Sequence, residues 1–284
     1  MCKVCDDIYN AISATFEPID DQTLEEVISG VFNKEFTVNA PPFKLFLNTG
    51  KSLSDAIRYA FEFDKIAAVE ATPKFKLAAD LQKNVYRFSA AKTYQQTKAL
   101  NALLVDDKGI AKTFYQFKKD ASGVLKSFNT TYLAAEHQRS VAASQNAIYW
   151  DEIQRDKDYF PLLKYETVGD ARVRPTHVAL DNIVRPVDDV FWSNYMPPNG
   201  WNCRCTVIQL EAGDAPQTDL SNFKKPEDVP EEFMYNPGQQ RIVFTDAHPY
   251  FRIDPRDTGL AMQNFNLPMP KTFPTPELIE PPKK

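Results

Sequence analysis

The sequence predicts an α+β fold, with a mainly helical N-terminal part and a small, Pro-rich α+β C-terminal domain. Two observations support this prediction. Up to about residue 155, apolar side chains recur at three- and four-residue steps, which is the period of an amphipathic helix. Beyond that point prolines, aromatic residues and β-branched residues become frequent, which is typical of short strands joined by turns. A chain of 284 residues is long enough for two such parts.

The first predicted region, residues 1–73, is acidic and contains short helices. Apolar residues at helical spacing predict an amphipathic helix over Asp21–Phe32. The tripeptide Gly50-Lys51-Ser52 resembles the end of a phosphate-binding loop. That motif requires a glycine five positions before Gly50, where this chain has Leu45. We therefore interpret Ser52 as the N-cap of a helix.

The second predicted region, residues 74–155, consists of long helices. The apolar pattern predicts one helix over 74–104 and a turn at Asp106-Asp107-Lys108-Gly109. A further helix is predicted around Phe114 to Leu125, and another from Asn129 to Gln154.

Two regions are predicted after the helices: a compact domain over 156–250 and a Pro-rich extended tail over 251–284. The strand predictions within the domain are Leu163–Thr167, Arg204–Leu210 and Arg241–Phe244.

Charge is distributed unevenly along the chain. The net charge is −5, yet residues 74–126 contain 11 Lys and Arg against four Asp and Glu. Such a block predicts either a contact surface for nucleic acid or an acidic partner, or simply a solvated helix face. The candidate contacts for DNA or a partner are Lys83, Arg87, Lys92, Lys98, Lys118 and Lys119.

The apolar runs indicate that the protein does not enter a membrane. The longest are far too short to cross a bilayer. The first residues, Met1 to Asp7, lack the apolar core of a signal peptide, so we expect a protein that is made and kept in a cytoplasm.

A compound motif lies between residues 167 and 205. It begins with Asp170-x-Arg172-x-x-x-x-His177 and continues with Phe191-Trp192, Pro197-Pro198-x-Gly200 and Cys203-Arg204-Cys205. In this order the elements resemble the phage Mu protein F-like domain, also called the SPP1-type head morphogenesis domain. The likeness is strong over about residues 130–250, moderate over 74–129 and weak before them.

The resemblance implies a function in virus assembly. It implies a minor capsid protein of a tailed bacteriophage or prophage, which is not an enzyme and has no catalytic residues. Its partners would be the portal protein and other head proteins, with non-specific contacts to phage DNA. It would lie in the capsid interior near the portal vertex, after assembly in the host bacterial cytoplasm. The alternative is a metal-dependent hydrolase, a nuclease or a toxin-like effector using His177, Cys203 and Cys205.

His177, Cys203 and Cys205 are candidate metal ligands, with zinc as the metal. Residues two apart in a strand face the same side, so both sulfurs can reach one ion. The fourth ligand would be Asp170, Asp181 or His248. Against a metal stands the spacing of the cysteines, because structural zinc sites separate them by two to four residues. The alternative is that the thiols pack as small apolar groups and His177 holds a loop by hydrogen bonds.

A second cysteine pair, Cys2-x-x-Cys5, has the spacing of a zinc knuckle but no second pair nearby. We expect these two residues to be free thiols at a flexible terminus.

The remaining charged motif residues favour a structural role. Asp170, Arg172 and Arg174, with Asp188 and Asp189, offer charge partners that can fix loops lacking regular hydrogen bonds. A catalytic acid pair is the alternative, but no nucleophile or phosphate cradle accompanies it. The residues predicted to build this structural motif are Asp170, Arg172, Arg174, Trp192, Pro197 and Pro198.

Overall fold

The computed structural model describes residues 16–62, 72–223, 226 and 229–271. Its elements confirm the α+β prediction: helices dominate the N-terminal part, and a small antiparallel sheet follows them. The cysteine pair Cys2/Cys5 and the end of the predicted tail, 272–284, lie outside the described residues.

The N-terminal part is built from long helices that share one apolar core. Their bounds are α1 Asp21–Phe32, α2 Phe43–Phe61, α3 Pro73–Ala102, α4 Phe114–Lys126 and α5 Leu133–Asp156. Side chains fix several of their ends: the Asp20 carboxylate caps α1, and Thr113 caps α4 in a capping box with Gln116.

Helix α2 differs from its prediction, because Ser52 lies in the middle of the helix and does not cap it. The helix begins at Phe43, directly after Pro42, whose extended backbone starts the first turn. Leu45 and Phe46 are fully buried in the core. Burial of this first apolar turn therefore sets the start of the helix, and the Gly-Lys-Ser tripeptide continues it.

Helices α4 and α5 are joined without a loop. The connecting residues Ser127–Tyr132 form a π-helical segment, which carries the chain from one helix into the next. Inside it Asn129 is fully buried and donates to the side-chain oxygen of Gln96 and to the carbonyl of Leu125. The two predicted helices are therefore continuous through this segment.

The sheet follows α5 and contains three short antiparallel strands in the order β2-β1-β3. They are β1 Leu162–Glu166, β2 Val184–Pro186 and β3 Thr206–Leu210. In the register of the central strand, Leu163 pairs with Arg185 on one side and with Gln209 on the other. Strand β3 starts two residues later than predicted. Short helices connect the strands: α6 Pro175–Val178 and α7 Phe191–Tyr195.

Residues 241–244 do not form the predicted strand. The buried side chain of Asn84, on α3, takes the place of a neighbouring strand. Its oxygen accepts from the backbone N–H groups of Val243 and Phe244, at 2.9 and 2.8 Å, and its amide donates to the carbonyl of Phe244 at 2.9 Å. These bonds satisfy backbone groups that a sheet would otherwise have paired.

The residues after 251 also differ from the predicted extended tail. As far as they are described, they form short helical turns, including α9 Thr258–Met262, after an earlier turn α8 Pro237–Gln240. Phe265 and Leu267 are buried in the core of the long helices. The Phe265 ring stacks on Tyr94 with centroids 4.9 Å apart. Burial of these apolar side chains keeps this segment packed on the helices.

Two apolar cores result from this arrangement. The larger lies among α1–α5 and includes the buried side chains of Val243, Phe244, Phe265 and Leu267. The smaller lies between the sheet and the end of α5, around Trp192, Tyr165 and Trp150. Helix α8 packs closely here, since a Cβ atom at Gly238 would collide with the Trp150 side chain.

Candidate metal centre and its supporting loops

Three potential metal ligands meet at one edge of the sheet. His177 lies on the short helix α6, whereas Cys203 and Cys205 lie in the loop that enters β3. The Nδ1 atom of His177 is 3.7 Å from the Cys203 Sγ and 3.4 Å from the Cys205 Sγ. The ligand atoms of all three residues lie within 4.8 Å of one another. The fold thus brings together three residues separated by 26 and 28 positions in the sequence.

The His177 ring is held by its other nitrogen. Nε2 lies 3.2 Å from the backbone carbonyl of Asn199, and the ring is buried. A carbonyl oxygen only accepts hydrogen bonds, so this contact places the proton on Nε2. Nδ1 therefore presents a lone pair to the two sulfur atoms.

Asn199 connects the strands and loops around the site. Its side-chain oxygen accepts a hydrogen bond from the Tyr165 hydroxyl at 3.0 Å, and its amide donates to the carbonyls of Met196 and Phe233. It follows the cis peptide bond between Pro197 and Pro198. One buried amide therefore satisfies the backbone of two loops and positions the carbonyl that holds His177.

The two thiols have different environments. The pKa of Cys203 is lowered, chiefly because Cys205 donates a hydrogen bond to it. The pKa of Cys205 is raised by that same hydrogen bond and by burial. In the absence of a bound ion, Cys203 is thus the more easily ionised sulfur.

Asp170 is a predicted metal ligand, but in this structure it binds arginine and lies outside the group of three ligand residues. Its two oxygens accept from both terminal nitrogens of Arg204 at 2.8 Å each, and Arg172 adds weaker contacts at 3.3 Å. The Arg204 guanidinium is the main reason that the pKa of Asp170 is lowered. This two-pronged contact with Asp170 fixes Arg204, which lies between the two cysteines, to the loop before α6.

The other proposed fourth ligands also have different partners. Asp181 accepts a hydrogen bond from the backbone N–H of Thr167 at 2.7 Å. His248 packs against aromatic rings, including Phe88 and Trp201, and burial lowers its pKa to about 3. Among the described residues, the group of possible metal ligands contains His177 and the two cysteines alone.

The other charged residues of the motif bind elsewhere. Arg174 donates to the carbonyl of Trp201 at 2.5 Å. Asp188 pairs with Lys157, and Asp189 pairs with Arg185. Asp188 and Asp189 therefore have other partners than Arg172 and Arg174.

Trp192 is completely buried in the smaller core, and its ring N–H donates to the carbonyl of Pro186 at 2.9 Å. The ring therefore packs against the smaller core while its N–H fixes the end of strand β2.

Arg139 is an important residue that the sequence did not reveal. It lies on α5 and is buried, and its guanidinium donates to the Tyr235 hydroxyl and to the carbonyls of Pro198 and Val243. The group also lies 4.3 Å from the centroid of the Phe233 ring. Nothing in the sequence distinguishes this arginine from the exposed basic residues of a helix, so its burial could not be predicted from the sequence.

The six basic residues predicted to contact DNA or a partner fall into two groups. Lys92 is fully buried, with its ammonium 2.5 Å from the Glu136 carboxylate, so the prediction of a surface contact is wrong for this residue. The other five are at least partly exposed, and acidic neighbours lie beside most of them. Those pairs are Lys83 with Asp80, Arg87 with Asp246, Lys98 with Asp254 and Lys118 with Glu25. Lys119 is exposed.

A cavity of about 320 Å³ adjoins the cluster. Cys203 and Cys205 form part of its wall, opposite Gln145, Asn146 and Tyr149 of α5. Solvent therefore reaches the side of the cysteine loop that faces the helix.

None of the described helices has the length and apolar character needed to span a membrane.

Comparison with known proteins identifies the family. The family model for Phage Mu protein F like protein matches residues 68–208. The chain is 39% identical over 80 residues to the putative capsid assembly protein F of Escherichia phage Mu, which covers 28% of this chain and 18% of that protein. It is 32% identical over 81 residues to the Mu-like prophage FluMu F protein of Haemophilus influenzae, which covers 28% of this chain and 16% of that protein.

The matched segment thus spans less than a fifth of either relative. No solved structure matches the chain significantly. The family match contains the long helices α3–α5, the sheet as far as Ile208 of β3 and the complete cluster of His177, Cys203 and Cys205. Through residues 68–208, this chain belongs to the phage Mu protein F-like family.

Proposed function

We propose that the protein is a minor capsid protein of a tailed bacteriophage or prophage, incorporated in the head interior beside the portal. The observation that supports the proposal is the family match across both the long helices and the sheet, together with a relative named as a putative capsid assembly protein. Its role is structural, and its partners are the portal protein and other head proteins.

Deletion and complementation test this function. Removal of the gene from the phage or induced prophage is expected to lower the yield of DNA-filled heads, and the wild-type gene supplied in trans restores it. Mass spectrometry of purified heads should detect the protein, and cross-linking should join it to the portal. Normal heads without the protein, or cross-links only to tail components, contradict the proposal.

The exposed basic residues on α3 are proposed to contact packaged DNA. Lys83, Arg87 and Lys98 lie close to one face of the helix, because they are separated by four and eleven residues. Each already lies beside a carboxylate, so a phosphate must compete with that partner. We therefore expect weak binding that reads no base sequence and falls steeply with salt.

A triple variant tests this contact. Changing Lys83, Arg87 and Lys98 to Gln should reduce the slope of log K against log salt by about 2–3, measured by fluorescence anisotropy with unrelated duplexes. The charge-matched control changes three lysines elsewhere, Lys44, Lys157 and Lys164. An equal loss in both variants, or no binding at low salt, contradicts a DNA contact and points to an acidic protein partner.

The enzymatic alternative lacks a supporting group in the cluster. A hydrolase of this type needs a general base beside the metal-bound water. Within the described part of the chain, no carboxylate joins the three ligand groups, and Asp170 is bound by Arg204. The structural role is therefore the function that we propose.

A further inference from the structure

We propose that His177, Cys203 and Cys205 bind one zinc ion, with a water molecule from the adjoining cavity as the fourth ligand. The inference concerns a metal site and does not depend on the proposed place of the protein in the phage head. It rests on the spacing of the ligand atoms, the orientation of the imidazole and the chemistry of the donors.

The two separations from the imidazole nitrogen to the sulfur atoms fit a tetrahedral ion. Zinc lies about 2.3 Å from thiolate sulfur and about 2.0 Å from imidazole nitrogen, so a tetrahedral angle separates the two ligand atoms by about 3.5 Å. The observed separations from His177 Nδ1 are 3.7 Å to Cys203 and 3.4 Å to Cys205. Both observed values lie within about 0.2 Å of that separation, so an ion fits between the imidazole and either sulfur with little movement.

Hydrogen bonding accounts for only part of this arrangement. Nδ1 has one lone pair, which can accept from a single thiol in good geometry. Both sulfurs nevertheless approach it from the same loop. An ion at the centre of the three atoms would bind all of them at once, since it accepts a lone pair from each.

The His177 ring is oriented as in known metal sites. A ligating imidazole usually donates its other N–H to a carbonyl or carboxylate, which fixes the tautomer and the ring plane. Here Nε2 faces the Asn199 carbonyl, and the side chain of Asn199 is itself held by the Tyr165 hydroxyl. Arg204 binds Asp170 on the opposite side of the cysteine pair, which fixes the backbone between the two sulfurs.

The donor set selects the metal. Two thiolates and one imidazole suit zinc, whereas calcium and magnesium require oxygen ligands. Iron–sulfur clusters use four cysteines, or two cysteines and two histidines. The one-residue spacing of Cys203 and Cys205 departs from the usual spacing of zinc sites. His177 compensates for this short spacing, because it lies on α6 and approaches the ion from outside the cysteine loop.

The cavity provides the fourth position. It is bordered by both cysteines and by polar side chains of α5, Gln145 and Asn146. Water in this space can bind the ion while hydrogen bonding to these side chains. Zinc would then fasten α6 to the entry of β3, and its binding free energy would stabilise the sheet.

X-ray absorption spectroscopy of the full-length protein, loaded with zinc sulfate and dialysed, tests the site without any substitution. The expected spectrum has two sulfur ligands at about 2.3 Å and two nitrogen or oxygen ligands at about 2.0 Å. Four sulfur ligands would overturn the proposal, because Cys2 and Cys5 would then share the ion. Failure to retain zinc after dialysis would overturn it as well.

Paired cysteine variants locate the ion. Zinc content by elemental analysis is expected to be about one ion per chain in the wild type and in Cys2→Ser/Cys5→Ser. It should fall at least tenfold in Cys203→Ser and in His177→Ala, with folding checked by circular dichroism. Because these variants can unfold for other reasons, the wild type is also treated with a chelator. Chelation should lower the Tm of the wild type and of Cys2→Ser/Cys5→Ser alike. An unchanged Tm in both, or zinc loss only in Cys2→Ser/Cys5→Ser, would refute the site.

Discussion

The long helices and the sheet domain satisfy their buried backbone hydrogen-bonding groups in different ways. In α1–α5 the backbone hydrogen bonds are made within each helix, so buried polar side chains serve to join one helix to another. Lys92 on α3 and Glu136 on α5 are the clearest pair. In the sheet domain short strands and Pro-containing loops leave backbone groups unpaired, and side chains such as Asn199 and Arg204 bind them or fix their loops.

The comparison shows where a single substitution has the largest effect. A helix tolerates the loss of a polar side chain unless that loss leaves a buried charge alone. A loop region depends on a few side chains that each satisfy several groups. Arg139 belongs to both regions, because it lies on a helix and binds the backbone of two loops.

The largest expected effect is at Lys92. Its ammonium is fully buried, contacts Glu136 and donates to the Phe128 carbonyl at 2.7 Å. Burial raises the pKa of Glu136, and the ammonium opposes this shift. Lys92→Met removes the partner of a buried carboxylate, so urea denaturation should show a loss of about 3–5 kcal/mol. Lys92→Met/Glu136→Leu should recover most of it. A double variant as unstable as the single one would contradict this account.

Arg139→Met tests whether one residue joins the two regions. The change leaves two buried acceptors, the Pro198 carbonyl and the Tyr235 hydroxyl oxygen, without a donor, whereas the Val243 carbonyl keeps the Tyr235 hydroxyl. We expect a loss of about 3 kcal/mol. Far-UV circular dichroism reports mainly on the helices, whereas fluorescence reports on Trp150, Trp192 and Trp201. The two unfolding curves should coincide in the wild type and separate in the variant. Arg155→Met, at an exposed position of the same helix, should change neither. Coincident curves in Arg139→Met would show that other contacts suffice.

The buried histidine His137 should make the stability of the protein depend on pH. Burial of the His137 ring in the helical core lowers its pKa to about 4, against about 6.5 when unfolded. Between these values the unfolded chain binds a proton that the folded chain does not. The contribution of His137 to the free energy of unfolding is therefore fully present above about pH 6.5. It is lost as the pH falls toward 4, at about 1.4 kcal/mol per pH unit. His137→Gln should reduce the slope by that amount, and an unchanged slope would argue against burial of a neutral ring.

The smallest effect on stability is expected at Ser52. The sign of the change distinguishes a serine in the middle of a helix from an N-cap. In the middle of α2 a serine has a lower helix propensity than alanine, so Ser52→Ala should raise the free energy of unfolding by up to about 0.5 kcal/mol. If Ser52 were an N-cap, the same change would cost about 1 kcal/mol. Thermal unfolding of the two proteins decides between these outcomes. The N-cap substitution Asp20→Ala, on α1, provides the matched comparison and should lower the Tm.

Much of the fold was predictable because it depends on local patterns. Apolar periodicity indicated the long helices, and the change to prolines and aromatic residues marked the sheet domain. The same patterns misplaced the start of α2 and predicted a strand at 241–244. In both places distant side chains decide the conformation: the core buries Leu45 and Phe46, and Asn84 binds the backbone of residues 243 and 244.

The sequence by itself determined the family, the fold class and the three residues of the candidate metal centre. Those features depend on residue types and short spacings, which can be recognised without knowledge of the fold. The tertiary structure alone decided that Asp170 binds Arg204, that Lys92 is buried with Glu136, and that Arg139 joins the two regions. A charged side chain looks the same in a sequence whether it faces water or a buried partner. Its role is therefore fixed only when packing sets its solvation and brings its partner within hydrogen-bonding distance.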